Sequence, residues 1–419
     1  MSIEADLQPD TSSPDDQPAD RDRTAWRRAV GVGLAAYVVS RLCVLAAAGV
    51  RAAQTVVDAR EDGEPEMSVY QTLTGVLTSW DGRWYLELVR TGYPDSIPPN
   101  ITYEQLEARA AFVPVYPWLV RGVDALLPGG DTLAALATNF VLGAVAVVLV
   151  GLLARRLYST TVAARAMTLF AIFPGSFVLS FAYSEATLIV LAAACLLLLL
   201  DERWLLAGLT AALATGARPN GIALVAACVV ASALAIRRSR DWMSLIAVAL
   251  SPLGFIGFQW YVDRTTGERG AWFRVQREAW EEGTSFGLTA VSNTWDFVTH
   301  PLASPTDALT ALSVLALAAM AWASWKARLH LVPATYSAVV VALMLIPETV
   351  TARPRFLFTA FPLLIGVAAW WTALDARRDR NADHDRAGWE HAGWDLTLVL
   401  CGAGLTALTG LYAVFGAIP

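Results

Sequence analysis

In the run SWDGRWYLELVRTGYP (79–94) one carboxylate, Asp81, stands among Trp80, Trp84, Tyr85 and Tyr93. An aspartate fenced by aromatic rings at a membrane surface can keep a fixed geometry and an adjusted proton affinity, as a general base requires. The same residue also reads as a turn or helix cap among interfacial aromatic anchors. Gly82 permits an unusual backbone angle or a close approach directly after it. Glu87, Asp95 and Glu104 are lesser carboxylate candidates in the same stretch. Glu185, in FAYSEATLI, interrupts two apolar runs. A carboxylate at that depth needs a partner, water or a proton, so it reads as an ion-pair or substrate-orienting group rather than as the catalyst.

The cations that would complement these acids recur beside prolines. Arg218 lies in GARPNG with Asn220 and Gly221, and Arg353 and Arg355 lie in TARPRF. Guanidinium forks suit a phosphate or pyrophosphate carried on a lipid tail; anchoring to phospholipid headgroups would use the same residues. Arg41 falls midway through the first apolar run. A lone lipid-facing arginine is costly, so Arg41 is expected to face the bundle, pairing with a carboxylate or reaching a polar cavity. A base, phosphate-binding cations and aromatic platforms fit transfer of a group from a lipid-phosphate donor. The same inventory fits a transporter or flippase of lipid-linked substrates, and a scaffold in envelope assembly is the blander third reading.

What positions these residues is a membrane-spanning framework. Of 419 residues 56% are hydrophobic and only 16% charged, with mean hydropathy +0.47. That is too little charge for a soluble surface, and it marks an all-alpha polytopic membrane protein. Apolar segments of crossing length fall at roughly 29–50, 132–154, 164–182, 185–200, 204–218, 221–236, 243–262, 306–325, 329–346, 356–374 and 395–415, about eleven in all. Alternate connections carry RR (155–156), DER (201–203), RRSR (237–240), KAR (326–328) and the cluster from Arg377, which sets the amino terminus inside by the positive-inside rule. The acidic, Pro-bearing residues 1–26 are expected to be a disordered cytoplasmic tail, and 27–419 one transmembrane catalytic domain.

Two long outside stretches, 51–131 and 263–305, then share a face with Glu185, Arg218 and Arg355. Within the first, AAFVPVYPWLVRGVDAL (110–126) is too broken by prolines for a full crossing and reads as interfacial or re-entrant. Within the second, AWFRVQREAW (271–280) is expected to lie along the interface with its rings at headgroup depth.

Several classes are disfavoured. A net charge of -6 argues against nucleic acid as partner. Cys43, Cys195, Cys228 and Cys401 sit in apolar runs, and the four histidines form no ligand cluster, so there is no case for a bound metal. No GxxxxGK[ST] or GxGxxG phosphate cradle occurs, and no cofactor is expected beyond the lipid-linked donor substrate itself.

SWDGRWYLELVRTGYP, AAFVPVYPWLVR, LFAIFPGSFVLSFAYSEATLIVL, TGARPNG, VQREAW and RPRFLFTAFPL, in this order along about three quarters of the chain, resemble the PIG-V-like mannosyltransferases of the GT-C class. The resemblance implies a GT-C-like helical bundle, a polyprenyl-phosphate sugar donor, most often mannose, a glycolipid or glycan acceptor, and transfer on the non-cytoplasmic side. It implies that Asp81 is catalytic, and that Glu185, Arg218 and Arg355 match the family's acidic, RPNG and aromatic-helix positions. Gln276 and Trp280 fall on its later Q-to-W spacing. Gly82 departs from the alanine-like residue of eukaryotic relatives, which bears on the acceptor.

Overall fold

Apolar length decides which helices can cross a bilayer, at 1.5 Å of rise per residue against a hydrocarbon core about 30 Å thick. The computed structural model describes residues 18–63, 68–281, 283–301, 303–348, 354–381 and 392–412. Its first helix, α1 (Pro18–Glu61), has 44 residues. It contains the expected first crossing and extends it both ways, so the expected tail 1–26 is helical from Pro18, and residues 1–17 lie outside the described ones.

The first long stretch is not an open loop but holds α2 (Val69–Leu77), α3 (Asp81–Thr91) and α4 (Val115–Asp124). With ten residues α4 is too short to cross. Arg121 fixes it to α3 by donating to the carbonyls of Leu88 and Val89. A long apolar helix, α5 (Gly130–Leu157), follows. Next, α6 (Thr160–Ile172) meets the 3-10 turn Pro174–Ser180 at a 73° bend, so the continuous crossing expected at 164–182 is broken. The cause is local: Pro174 supplies no N–H, and Phe173 before it is extended.

Beyond the bend come α7 (Glu185–Leu200), α8 (Trp204–Thr215), α9 (Ala223–Ser239), α10 (Leu245–Leu250) and α11 (Leu253–Thr266). The second long stretch carries α12 (Ala271–Glu278) and α13 (Leu288–Thr299). The chain continues through α14 (Pro305–Lys326), α15 (Leu331–Leu345), α16 (Pro354–Thr359), α17 (Pro362–Asn381) and α18 (Ala392–Tyr412). Among the described residues six helices are long and apolar enough to cross a membrane, seven if the bent pair counts as one, with α7, α8 and α15 shorter but apolar. About eleven crossings were expected; the short helices stand where the apolar runs themselves fall below twenty residues.

One buried apolar core joins α1, α5, α6, α7 and α17 through side chains such as Val44, Val147, Phe170, Leu188 and Ile365. At one end of this bundle Arg155 pairs with Asp22, Arg156 with Asp201 and Arg238 with Glu202, and Tyr158 donates to the carbonyl of Ala327. Four of the basic connections therefore meet there. The opposite end gathers Asp81, Ser184, Arg218 and Arg355.

Candidate functional site

The site begins with a strained residue. Trp80 has φ 58° and ψ -119°, a region that a side chain disfavours by about 1–3 kcal/mol. Its indole Nε1 donates to the carbonyl of Tyr412 at 2.9 Å, which helps hold the turn that starts α3 at Asp81. The unusual backbone angle expected at Gly82 thus belongs to Trp80. A Cβ on Gly82 would meet nothing nearer than 3.5 Å.

Asp81 Oδ2 accepts from Arg355 Nη1 at 3.0 Å and lies 3.9 Å from Arg218 Nη2. Arg355 sits at the start of α16, with its guanidinium 4.6 Å from the ring centre of Phe356, 5.6 Å from that of Tyr412 and 5.7 Å from that of Tyr183. Only 8% of it is exposed, so charge and ring contacts together fix its plane. Arg218 is extended, as the residue before a proline tends to be. It donates to Ser184 Oγ at 3.1 Å and stands 3.0 Å from Glu185 Oε2. Glu185 is fully buried, and neither of its oxygens accepts a well-formed hydrogen bond among the described residues, so its contact with Arg218 is an ion pair of poor hydrogen-bond geometry. Tyr85 OH and Ser184 Oγ are 2.6 Å apart. Two carboxylates and two guanidiniums therefore balance within one connected group.

These side chains border a cavity of about 310 Å³, at the small end of ligand sites. Asp81, Tyr85, Arg218, Asn220 and Arg355 face it from the bundle, while Trp272, Gln276 and Trp280 close it from α12 and its C-terminal end. A four-way staple holds α12 in place. Arg274 donates to the carbonyls of Ile97 and Pro98 at 3.0 and 3.1 Å, to both oxygens of Glu268 at 2.6 and 2.7 Å, and to Glu278 at 3.1 Å. Those bonds hold the Glu268 carboxyl below its ordinary proton affinity. The rings of this segment do not all lie at headgroup depth as expected. Trp272 turns inward and donates to the carbonyl of Ala111 at 2.9 Å, and Trp280 packs 5.4 Å from Tyr103 and 5.7 Å from Phe112.

Of the residues singled out from the sequence, Asp81, Tyr85, Arg218, Asn220, Gln276, Trp280 and Arg355 share this cavity. Trp84 is fully buried behind it, 6.2 Å from Trp280, Glu185 backs Arg218, and Trp80 anchors the turn. Arg353 lies outside the described residues. Arg41 is not at the cavity and meets no carboxylate among the described residues. It donates to Ser176 O and Oγ at 2.6 and 2.9 Å, to Ser180 Oγ at 3.1 Å and to Ala171 O at 3.3 Å. Its role is to satisfy the backbone that the bend after α6 frees. Sequence reading passed over Ser184, Trp272, Phe356 and Tyr412. Ser184 and Trp272 lay inside runs already noted, whereas nothing local marks Tyr412, which reaches the site from the last helix.

Residues 111–261 match the family described as dolichyl-phosphate-mannose-protein mannosyltransferase. No curated protein matches the chain in sequence. Among solved structures, ArnT from Cupriavidus metallidurans bound to undecaprenyl phosphate is similar at 14% identity and TM-score 0.45, over 78% of this chain and 68% of that one. The apo oligosaccharyltransferase of Archaeoglobus fulgidus is similar at 12% identity and TM-score 0.44, over 90% of this chain and 56% of that one. The archaeal enzyme AglB in complex with an inhibitory peptide and a dolichol-phosphate gives 12% identity and TM-score 0.46, over 90% and 56%. The chain thus spans little more than half the length of the archaeal enzyme.

Proposed function

We propose that this chain, an integral membrane protein of the GT-C class of glycosyltransferases, moves mannose from a polyprenyl-phosphate-mannose donor to a glycolipid or other envelope acceptor, with inversion. The observation that carries this reading is that a carboxylate, Asp81, shares one cavity with the guanidiniums of Arg218 and Arg355. The description of the matched family and the PIG-V-like motifs support mannose as the sugar. The gathering of basic connections at the far end of the bundle supports an extracytoplasmic site.

In this mechanism the acceptor hydroxyl gives its proton to an Asp81 oxygen as the acceptor oxygen bonds to the anomeric carbon. The bond from that carbon to the phosphate oxygen breaks in the same displacement. The released polyprenyl phosphate gains one negative charge, which Arg355 and Arg218 stabilise more strongly in the transition state than in the bound donor. Attack from the face opposite the phosphate turns a beta-linked mannosyl phosphate into an alpha-mannoside. Tyr85, Asn220, Gln276 and Trp280 supply the polar edges and the ring face that hold the sugar. An apolar groove of about 370 Å³, lined by Val291, Val314, Leu317 and Leu345, the last of these following Met344 of the cavity wall on α15, suits the first units of the donor lipid.

The test is transfer itself. Purified protein in lipid is given polyprenyl-phosphate mannose with a panel of glycolipid acceptors, and products are read by mass spectrometry beside Asp81→Asn. A new mannoside is expected, with a loss of about 10²–10⁴-fold in the variant. Movement of substrate without a new glycosidic bond, or full transfer by a folded Asp81→Asn protein, overturns the reading.

A further inference from the structure

A second cavity, of about 730 Å³, opens between α14 and α15 toward the other end of the bundle and shares only Leu317 with the groove proposed for the donor lipid. These helices are joined by a turn of four residues, yet they make next to no direct packing contact, α14 leaning on α13 and α17 and α15 chiefly on α9. The facing positions explain the gap: Ala321 and Ser324 on α14 meet Ala334, Ser337 and Ala338 on α15, side chains too small to fill the space between two backbones. Leu363 of α17 forms its floor. On α15 this groove runs from Ala334 to Val341, and Met344, about one turn further along the same helix, borders the Asp81 cavity.

The mouth of this groove is cationic. Lys326 and Arg328 both line it. Among the described residues neither pairs with a carboxylate, whereas Arg155, Arg156 and Arg238 at the same end all do. The Lys326 ammonium instead rests 4.6 Å from the ring centre of Trp325 and 5.9 Å from that of Trp322. Trp325 is itself 70% exposed, and exposed indole rings near helix ends favour the headgroup region. The turn bearing these cations is pinned from outside the groove by the Tyr158 hydroxyl on Ala327 O.

An apolar slot in a membrane helix pair is filled by lipid, and two cations over its mouth select the charge of the headgroup. We infer that this groove is a binding site for one anionic phospholipid, its acyl chain between α14 and α15 and its phosphate on Lys326 and Arg328. The class is a phosphatidylglycerol-like lipid of the leaflet that faces the basic end. The lipid would brace α15, whose other end carries Met344 into the wall of the Asp81 cavity.

Native mass spectrometry of the full chain, released from nanodiscs holding equal phosphatidylglycerol and phosphatidylcholine of matched acyl chains, tests this. One retained phosphatidylglycerol per chain is expected. Lys326→Gln/Arg328→Gln should lower the preference for phosphatidylglycerol about thirty-fold. Ala338→Trp, which fills the slot but keeps both cations, should abolish retention of either lipid while the protein stays monodisperse. Equal retention of the two lipids by wild type, an unchanged preference in the charge variant or undiminished retention in Ala338→Trp overturns the inference. So does displacement of phosphatidylglycerol by added undecaprenyl phosphate, which would make the groove part of the donor path.

Discussion

Gly175→Ala tests whether the placement of Arg355, and not merely its charge, sets the rate. Gly175 lies in the 3-10 turn after α6, against the start of α16. A Cβ there would stand 2.8 Å from Phe358 Cβ and 2.9 Å from Pro354 C, and closer still to Pro354 O, where ordinary contact begins at 3.4 Å. Backbone and the buried Phe358 side chain must therefore retreat by about 0.5–0.6 Å, and by about 1 Å at the carbonyl. Arg355 is the next residue along, so its 3.0 Å contact with Asp81 opens by a similar amount. A misplacement near 1 Å in a reacting constellation costs about 10²-fold, or about 2.7 kcal/mol of transition-state stabilisation. The assay is kcat/KM for polyprenyl-phosphate mannose in nanodiscs, with Gly82→Ala as the partner variant. Gly82 adjoins the proposed base directly, but its added Cβ meets nothing nearer than 3.5 Å, so full activity and a slightly more stable α3 are expected. Wild-type kcat/KM in Gly175→Ala, or a larger loss in Gly82→Ala than in Gly175→Ala, refutes the geometric argument.

Arg355→Lys keeps the charge but loses the planar fork among Phe356, Tyr183 and Tyr412, so kcat should fall about tenfold by steady-state assay. Glu185→Gln leaves the charge of the buried Arg218 balanced only by the longer Asp81 contact, which should cost about 3 kcal/mol of stability, read from denaturant unfolding in bicelles. Because Arg274 holds the folded-state pKa of Glu268 below its ordinary 4.5, that leg of the staple contributes fully above pH 4.5 and is lost as pH falls through the lowered value. Hydrogen exchange in α12 should accelerate over that acid window in wild type. In Glu268→Gln, exchange should already be faster at neutral pH and should not change further.

Much of the site was legible because its chemistry is written in short runs. Asp81, Arg218 and Arg355 each stand out where a charge interrupts an apolar or aromatic segment, and desolvation makes such residues expensive unless they serve something. Depth of burial was not legible, since it depends on neighbours far along the chain. Arg41 looked like a candidate for a polar cavity. Its actual need arises from a bend 130 residues away that frees carbonyls only a long side chain can reach. Tyr412 escaped notice for the converse reason, as one aromatic in an apolar helix carries no mark of the guanidinium it will flank. The helix count was limited similarly: hydropathy located the apolar runs, but Pro174 decided that one of them turns by 73° instead of crossing straight.

The resting arrangement also bears on how the proposed transfer keeps its electrostatic cost low. Before reaction Asp81 carries one negative charge and a sugar-phosphate diester another; afterwards Asp81 is neutral and the free phosphate monoester carries two. The total is unchanged. What moves is one unit of charge, from one side of the Arg355 guanidinium to wherever its remaining donors point. Arg355 Nη1 is on Asp81, whereas Nε, buried in the same group, has no partner among the described residues. A buried donor without an acceptor is costly, and the cost is removed once an anion arrives. The aromatic slot keeps the guanidinium from following the migrating charge, so the donors are already aimed before the bond breaks, and little reorganisation is left for the reaction step.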